Sequence, residues 1–541
     1  MTYLIPKKVY LNTISALLLV FIGVQLSAQS LTGSNLPIVV ISTNGQAIED
    51  DPKVTCDMGI IWNTDGSRNF TSDSFNDFSG KIGIEIRGST SQQYPKKSYG
   101  FETRDAQGEN LNVSLLGLPS ENDWILYGAY PDKSLIRNSI TYSLFSNMQP
   151  WSPRFVYCEL IIDNDYLGIY ALVEKIKVDD NRVDIATLKV DDNTGDELTG
   201  GYIIKVDKPI GNSGEPWESE YQEEVKFLYH DPKYEDLSQI QRDYIKDYVS
   251  DFEDILYGPN FKDPISGYRS MINVESFIDF MLMQELRRTV DGYRSSSFMY
   301  KDKVSKGGKL TCGPMWDFNL SYGNATYCDA PDTTGWQYNF AEVCDFNNEP
   351  PEWWPRLLED TTFANELQCR WQSLRGTILS KNYIDNFIDS TALYLDEAQD
   401  RNFTKWPILG EYVNWNFFIG ETYEEEIDYL KWWFDARSIY MDANLPGRCT
   451  VVSAAQDELA ASGLRLFPNP TSGAFTVTTA GKNIDEVQLM DLSGRALRKW
   501  NAVNAGSLEL ELDGPAGVYL IRVTTVAGER STLQVVKQEV R

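Results

Sequence analysis

The hydrophobic period of this chain changes along its length, and each change narrows what the chain can fold into. Over residues 36–101 the apolar residues form β-branched or alternating runs, as in L-P-I-V-V-I-S (36–42) and K-I-G-I-E-I-R (81–87), broken by turns such as Asn44-Gly45. Strand patterns return at V-Y-C-E-L-I-I-D (156–163), D-Y-L-G-I-Y-A-L-V-E (165–174) and G-Y-I-I-K-V-D (201–207). Between them, residues 134–148 have helical spacing, with Leu135, Ile136, Ile140, Leu144 and Phe145 available for one face. From Ile240 onward helices are predicted over 240–256, 274–288, 363–379, 383–401 and 423–444. Small and polar residues at 450–463 read as a linker. After it come short, strictly alternating runs at 474–479, 486–492, 507–512, 517–523 and 531–536. A period of two buries one side of a strand and a period of 3.6 buries one face of a helix, so neither pattern can serve the other element. The expected architecture is an α+β body over residues 30–449, strand-rich first and helix-rich second, followed by a small all-β sandwich over 464–541.

Charge and composition exclude several functions. Among 541 residues, 49 Lys and Arg face 78 Asp and Glu, a formal net charge of -29. Nucleic acid is therefore not an expected partner, because phosphate backbones are bound by neutralising them with cations. An anionic membrane surface is disfavoured for the same reason. The single histidine, His230, rules against three-His zinc sites and Ser-His-Asp triads. It reads as a loop or strand-end residue. Carboxylates and lysines remain as the main general bases.

The first residues predict export. Lys7 and Lys8 precede an apolar stretch at 14–26, and Ser27 and Ala28 follow, so residues 1–29 read as a signal peptide. No second run is long enough to span a membrane, so no stable span is expected after its removal. None of the seven cysteines forms a C-x-x-C pair. In an exported chain some should be bridged. Cys328 with Cys344 is the first choice, since the two flank one aromatic loop.

Two segments contain residues suited to chemistry. In I-E-I-R-G-S-T-S-Q-Q-Y-P-K-K-S-Y-G-F-E (84–102) a strand enters a small-residue turn at 88–91, and Lys96 and Lys97 sit on the return strand. Backbone N–H groups in such a turn can approach phosphate, and a lysine can neutralise it. In the second segment Asp291 follows a helix and Asp317 follows Trp316 after a strand. Two such carboxylates can divide the work, one accepting a hydroxyl proton and the other holding a divalent cation. On spacing alone, a turn cap and a structural hydrogen bond account for them as well.

These segments, with D-W-I-L-Y-G-A-Y-P-D-K-S-L-I-R-N (123–138), G-I-Y-A-L-V-E-K-I (168–176) and G-G-Y-I-I-K-V-D-K (200–208), resemble the spore-coat protein H (CotH) kinase-like family. The resemblance spans roughly residues 36–445 and implies an atypical protein-kinase fold. It implies that Lys96 or Lys97, with Arg87 and Ser89 of the turn, contacts the nucleotide; Glu174, at a strand end, is available either to pair with the phosphate lysine, as kinases pair Lys with Glu, or to serve at the surface. Asp291 would be the catalytic base and Asp317 the metal-binding aspartate, with ATP and Mg²⁺ or Mn²⁺ as cofactors. One departure concerns the second metal ligand: the family's Asn about five residues beyond the catalytic Asp is here Ser296, a poorer ligand than an amide carbonyl. Asn319 or Asn324 is available to compensate.

The tail motifs L-F-P-N-P-T-S-G (466–473), L-M-D-L-S-G-R (489–495) and P-A-G-V-Y-L-I-R-V (515–523) resemble the type A C-terminal sorting domain of the type IX secretion system of Bacteroidota. That resemblance implies export through the periplasm and across the outer membrane by the type IX machinery, then release or attachment at the cell surface. The expected function is an exported kinase that transfers the ATP γ-phosphoryl group to Ser or Thr hydroxyls of a secreted or surface protein. The alternatives are a catalytically inactive kinase-fold scaffold or adhesin and, with no motif behind it, a carbohydrate-active enzyme using two carboxylates.

Overall fold

The computed structural model describes residues 31–209, 214–344, 349–449 and, within 465–537, all but 469–470, 480–481, 491–495, 515–516 and 528–529. The signal peptide expected at 1–29 and the linker expected at 450–463 lie outside the described residues.

Seven strands of the first part close into a barrel. They are β1 (Ile38–Ser42), β2 (Val54–Ile61), β3 (Phe78–Arg87), β4 (Ser98–Arg104), β5 (Asp123–Tyr127), β6 (Phe155–Ile162) and β7 (Asp165–Glu174). Their order is β1-β2-β3-β4-β5-β7-β6, and β6 returns to pair in parallel with β1, Ile38 opposite Glu159. All other pairings are antiparallel. Strand alternation explains which side chains fill the barrel. Ile82 and Ile84, Tyr99 and Phe101, Trp124 and Leu126 are buried in one cluster inside it, while Lys81 of β3 is exposed. The other faces of β5 and β7 present Ile125, Ile169 and Val173 to the main core, where Ile136, Ile140 and Phe145 also pack, the last two from helix α1 (Arg137–Phe145).

A second sheet follows, with β8 (Tyr202–Val206), β9 (Trp217–Glu218), β10 (Lys226–Asp231), β11 (Ser297–Lys301) and β12 (Leu310–Cys312) in the order β9-β10-β8-β11-β12. Around it lie α2 (Gln239–Tyr257), α3 (Val274–Arg287), α4 (Trp353–Leu358), α5 (Thr361–Arg375), α6 (Lys381–Lys405) and α7 (Tyr423–Asn444). The start of α2 is fixed by a capping box, in which Ser238 accepts from Gln241 N–H and Gln241 accepts from Ser238 N–H. Asn273, Asp360, Ser380 and Thr422 cap α3, α5, α6 and α7 with side-chain oxygens. Trp353, Trp354 and Trp433 are core residues, with Trp354 stacked 5.7 Å from Phe280 and tilted 4.6 Å from Tyr293, whereas Trp432 is exposed.

Cys328 and Cys344 form the expected bridge, and a second joins Cys369 of α5 to Cys449. Cys56, Cys158 and Cys312 are buried thiols. His230 lies near the end of β10, its Nε2 3.0 Å from the Ile176 carbonyl oxygen and its ring edge-on to Phe298, a structural placement. Among the described residues no helix is long and apolar enough to cross a membrane. The tail folds as a three-stranded and a four-stranded sheet around a core of its own, including Phe475, Val477, Val487, Ile521 and Val535.

Candidate functional site

One cleft of about 1530 Å³ is walled by the open end of the barrel and by the loops that leave the second sheet. The barrel contributes Arg87 at the end of β3, Ser89 in the turn beyond it, Lys96, and Tyr127 at the end of β5. The other wall contributes Lys205, Asp207 and Lys208 at the end of β8, Asp291, Ser296, Asp317 and Asn319. Seven of the residues singled out from sequence (Arg87, Ser89, Lys96, Asp291, Ser296, Asp317 and Asn319) thus line a single space although they lie up to 232 positions apart.

The turn at 88–91 is a local necessity. Gly88 has φ +111°, and a Cβ there would lie 2.1 Å from Ser91 Oγ. Ser89 then leads into a short 3₁₀ turn, Thr90–Gln93, so the return strand starts only at Ser98. This moves Lys96 and Lys97 off the strand on which the sequence pattern places them. Lys96 is buried, and its Nζ donates to Ile169 O (2.6 Å) and to Asn402 Oδ1 of α6 (2.8 Å). Burial pushes its pKa down to about 7. Lys97 donates to Gln92 O at 2.5 Å. Glu174 does not pair with either lysine: its buried carboxylate is gripped by Arg154, with Nε at 2.8 Å and Nη2 at 2.6 Å. The expected lysine–glutamate pair is therefore replaced by two separate structural contacts.

Arg87 is placed differently. Its guanidinium lies 5.7 Å from the ring centre of Trp316, and among the described residues no oxygen accepts a hydrogen bond from it. The Asp317 carboxylate and the Asn319 side chain likewise make no hydrogen bond among the described residues. Asp317 has φ +66° and Ser296 φ +49°, left-handed conformations that non-glycine residues adopt at a cost and that gather at functional sites. The surrounding protein pushes the Asp317 pKa up to about 6, through burial first and then through the negative charges of Asp291 and Asp207; Arg87 and Lys208 oppose the shift. Its side chain is nonetheless exposed to the cleft, so water there moderates the push. Burial also raises Asp291, against the pull of Arg294, whose Nη2 is 3.4 Å from Asp291 Oδ1. Asn324 is committed elsewhere: its Nδ2 donates to Asn319 O (2.7 Å) and Pro131 O (3.1 Å), and its Oδ1 accepts from Asn416 (2.8 Å). It is not placed to replace the missing ligand at Ser296.

Sequence reasoning missed Asp207, Lys205 and Asn138, all on the cleft wall. Asp207 is buried, accepts from Lys205 Nζ at 3.0 Å and from Lys208 N at 2.9 Å, and acts electrostatically on both catalytic candidates. The only signal was the charged end of K-V-D-K (205–208), which looks like an ordinary solvated strand end.

The donor set suits a hard cation. Among the described residues no three His, Cys, Asp or Glu side chains gather as a metal cage. A carboxylate, an amide and a hydroxyl beside an open cleft match the habit of Mg²⁺, which keeps several waters and binds one or two carboxylates together with substrate phosphates.

The profile of the CotH kinase protein family matches residues 84–441, and the profile of a secretion system C-terminal sorting domain matches residues 465–538. The chain belongs to the CotH kinase family, and its tail is a sorting domain that directs a protein through type IX secretion to the cell surface or beyond. No curated protein matches the chain. Among solved structures, the twitchin kinase region from C. elegans (Fn31-NL-kin-CRD-Ig26) aligns at 10% identity over 95% of this chain and 100% of that one. The TM-score of 0.12 lends that alignment no weight on the fold.

Proposed function

We propose that this protein is an exported kinase that transfers the γ-phosphoryl group of ATP to a Ser or Thr hydroxyl of a secreted or surface protein. The observation that supports it is the set of groups facing one cleft without hydrogen-bond partners among the described residues: the Arg87 guanidinium, the Asp317 carboxylate and the Asn319 amide. In this reading Arg87 and the backbone of the 88–91 turn receive phosphate oxygens. Asp317, with Asn319 and Ser296, holds Mg²⁺ or Mn²⁺, which supplies charge neutralisation on the phosphates. Asp291 accepts the hydroxyl proton as the acceptor oxygen bonds to the γ-phosphorus, the bond to the bridging oxygen breaks and ADP leaves. An upward-shifted Asp291 holds that proton better than an ordinary carboxylate does.

The first test is calorimetry of ATP binding with and without Mn²⁺, using Asp317→Ala as control. Metal-dependent binding that the variant loses supports the site, and no binding by the folded protein at millimolar ATP overturns it. Transfer to acceptor should then vanish in Asp291→Ala with binding retained. A second reading, a binding scaffold without transfer, is favoured by Ser296 in place of an amide and by the structural engagement of Lys96, Lys97 and Glu174. It requires no turnover on any acceptor, with nucleotide bound but not used in a silent kinase and no nucleotide bound in an adhesin.

A further inference from the structure

Helix α1 grips the segment that carries Asp317 at successive points. Arg137 Nε donates to Ser321 O at 3.1 Å, Thr141 Oγ1 lies 2.7 Å from the Tyr322 hydroxyl, and Tyr142 stacks on Trp316 with ring centres 5.9 Å apart. The base of the helix is itself fixed by a buried ion pair, Arg137 Nη1 to Asp132 Oδ1 at 2.6 Å. One contact in this grip differs from the rest. Phe318 N–H donates to Asn138 Oδ1 at 2.6 Å. That N–H belongs to the peptide plane joining Asp317 to Phe318, so its direction is set by the ψ angle of Asp317.

We propose that Asn138 is the positioning residue that holds Asp317 in its left-handed conformation with the carboxylate facing the cleft. The inference rests on the reading of Asp317 as the metal-binding carboxylate. A left-handed backbone is unfavourable for aspartate and persists only where its surroundings impose it. The Phe318 side chain is already held, buried beneath the Arg287 guanidinium, which lies 3.7 Å from its ring centre. With the ring fixed on one side and the peptide N–H on the other, the Asp317 side chain keeps one direction. Asn138 is also half-exposed on the cleft wall, so its acceptor reaches the loop without a mediating residue.

The test compares the full chain with Asn138→Ala, which removes the acceptor, and Asn138→Asp, which keeps an oxygen in the same place. Two readouts are taken: Mn²⁺·ATP affinity by titration with electron paramagnetic detection, and amide hydrogen exchange at 316–322 without metal. Asn138→Ala should weaken Mn²⁺·ATP binding by about tenfold or more, the usual effect of removing a partner behind a metal ligand. It should also speed exchange of the Phe318 amide, and Asn138→Asp should restore both. Unchanged affinity and exchange in Asn138→Ala would overturn the proposal, as would an Asn138→Asp variant that fails as completely as alanine. If the wild-type chain binds no Mn²⁺·ATP, the nucleotide reading falls, and the exchange rate of Phe318 still decides whether Asn138 positions the loop.

Discussion

Asp317 is ionised against its surroundings, and this has a measurable sign. Its pKa rises from the ordinary 3.8 to about 6 because burial and the charges of Asp291 and Asp207 oppose ionisation. Between those values the folded state binds a proton that the unfolded state has lost, so stability from this group falls as pH rises through about 6. Asp317→Asn removes the charge and keeps a residue tolerant of φ > 0. Without metal, the variant should melt higher than wild type at pH 7.5, and the gap should close near pH 4. Added Mn²⁺ with ATP should raise the melting temperature of wild type alone. A second comparison separates the cations. Arg87→Ala should weaken ATP binding about 10- to 150-fold, the value of one charge-assisted contact of about 1.5–3 kcal/mol. Lys96→Met should leave ATP affinity nearly unchanged and cost about 1–3 kcal/mol of stability, since Ile169 O loses the lysine donor and Asn402 Oδ1 keeps only Ile169 N. Denaturant unfolding and calorimetry read the two effects independently.

At the scale of elements, the fully buried Glu285 of α3 ties three segments together. It accepts from Tyr293 Oη (2.8 Å) beside Asp291, from Gln337 N (2.7 Å) and Tyr338 N (3.0 Å) in the bridged loop, and from Arg437 Nη2 of α7 (3.2 Å). Removing one partner of a buried pair strands the other charge, so Glu285→Ala should cost about 3–5 kcal/mol. Exchange of the amides of 289–296 and 333–344 should quicken together; quickening confined to α3 would show that the segments are not coupled through this carboxylate. Elements themselves were largely legible in the sequence. The strand at 165–174 and the helix at 423–444 have the expected bounds: the strand is a near-continuous apolar run buried on both faces, and the helix buries one face and leaves its period in the residue pattern. Barrel closure was not legible, since it depends on β1 pairing with β6 across more than 100 residues. The site was half legible: Arg87, Asp291 and Asp317 converge, but the partners of Lys96 and Glu174 are Asn402 and Arg154, which only the folded chain brings near. Short polar segments such as 90–93 carry no period, so the residue pattern does not mark where the return strand begins.

Over the whole molecule, the continuous core runs from Leu36 to Leu445 and joins the outer faces of barrel strands to the helices, whereas the tail core draws only on residues from 466 onward. The domain and the sorting tail should therefore unfold as separate cooperative units. In scanning calorimetry of the chain beginning after residue 29, two transitions are expected. Deleting residues 450–541 should remove one and move the other by no more than about 1–2 °C, the size of a change of about 1–2 kcal/mol in a domain this large. A larger fall would mean that the tail packs on the domain. The Cys369–Cys449 bridge gives the complementary measurement. It closes a loop of 80 positions and fastens the last residues of the domain to α5, where Arg448 N also donates to Asn365 Oδ1 at 2.8 Å. A bridge over such a loop contributes about 2–4 kcal/mol, chiefly by restricting the unfolded chain. Replacing both cysteines with serine should lower the domain transition by several degrees and leave the tail transition where it was. If both transitions fell together, the two units would share an interface.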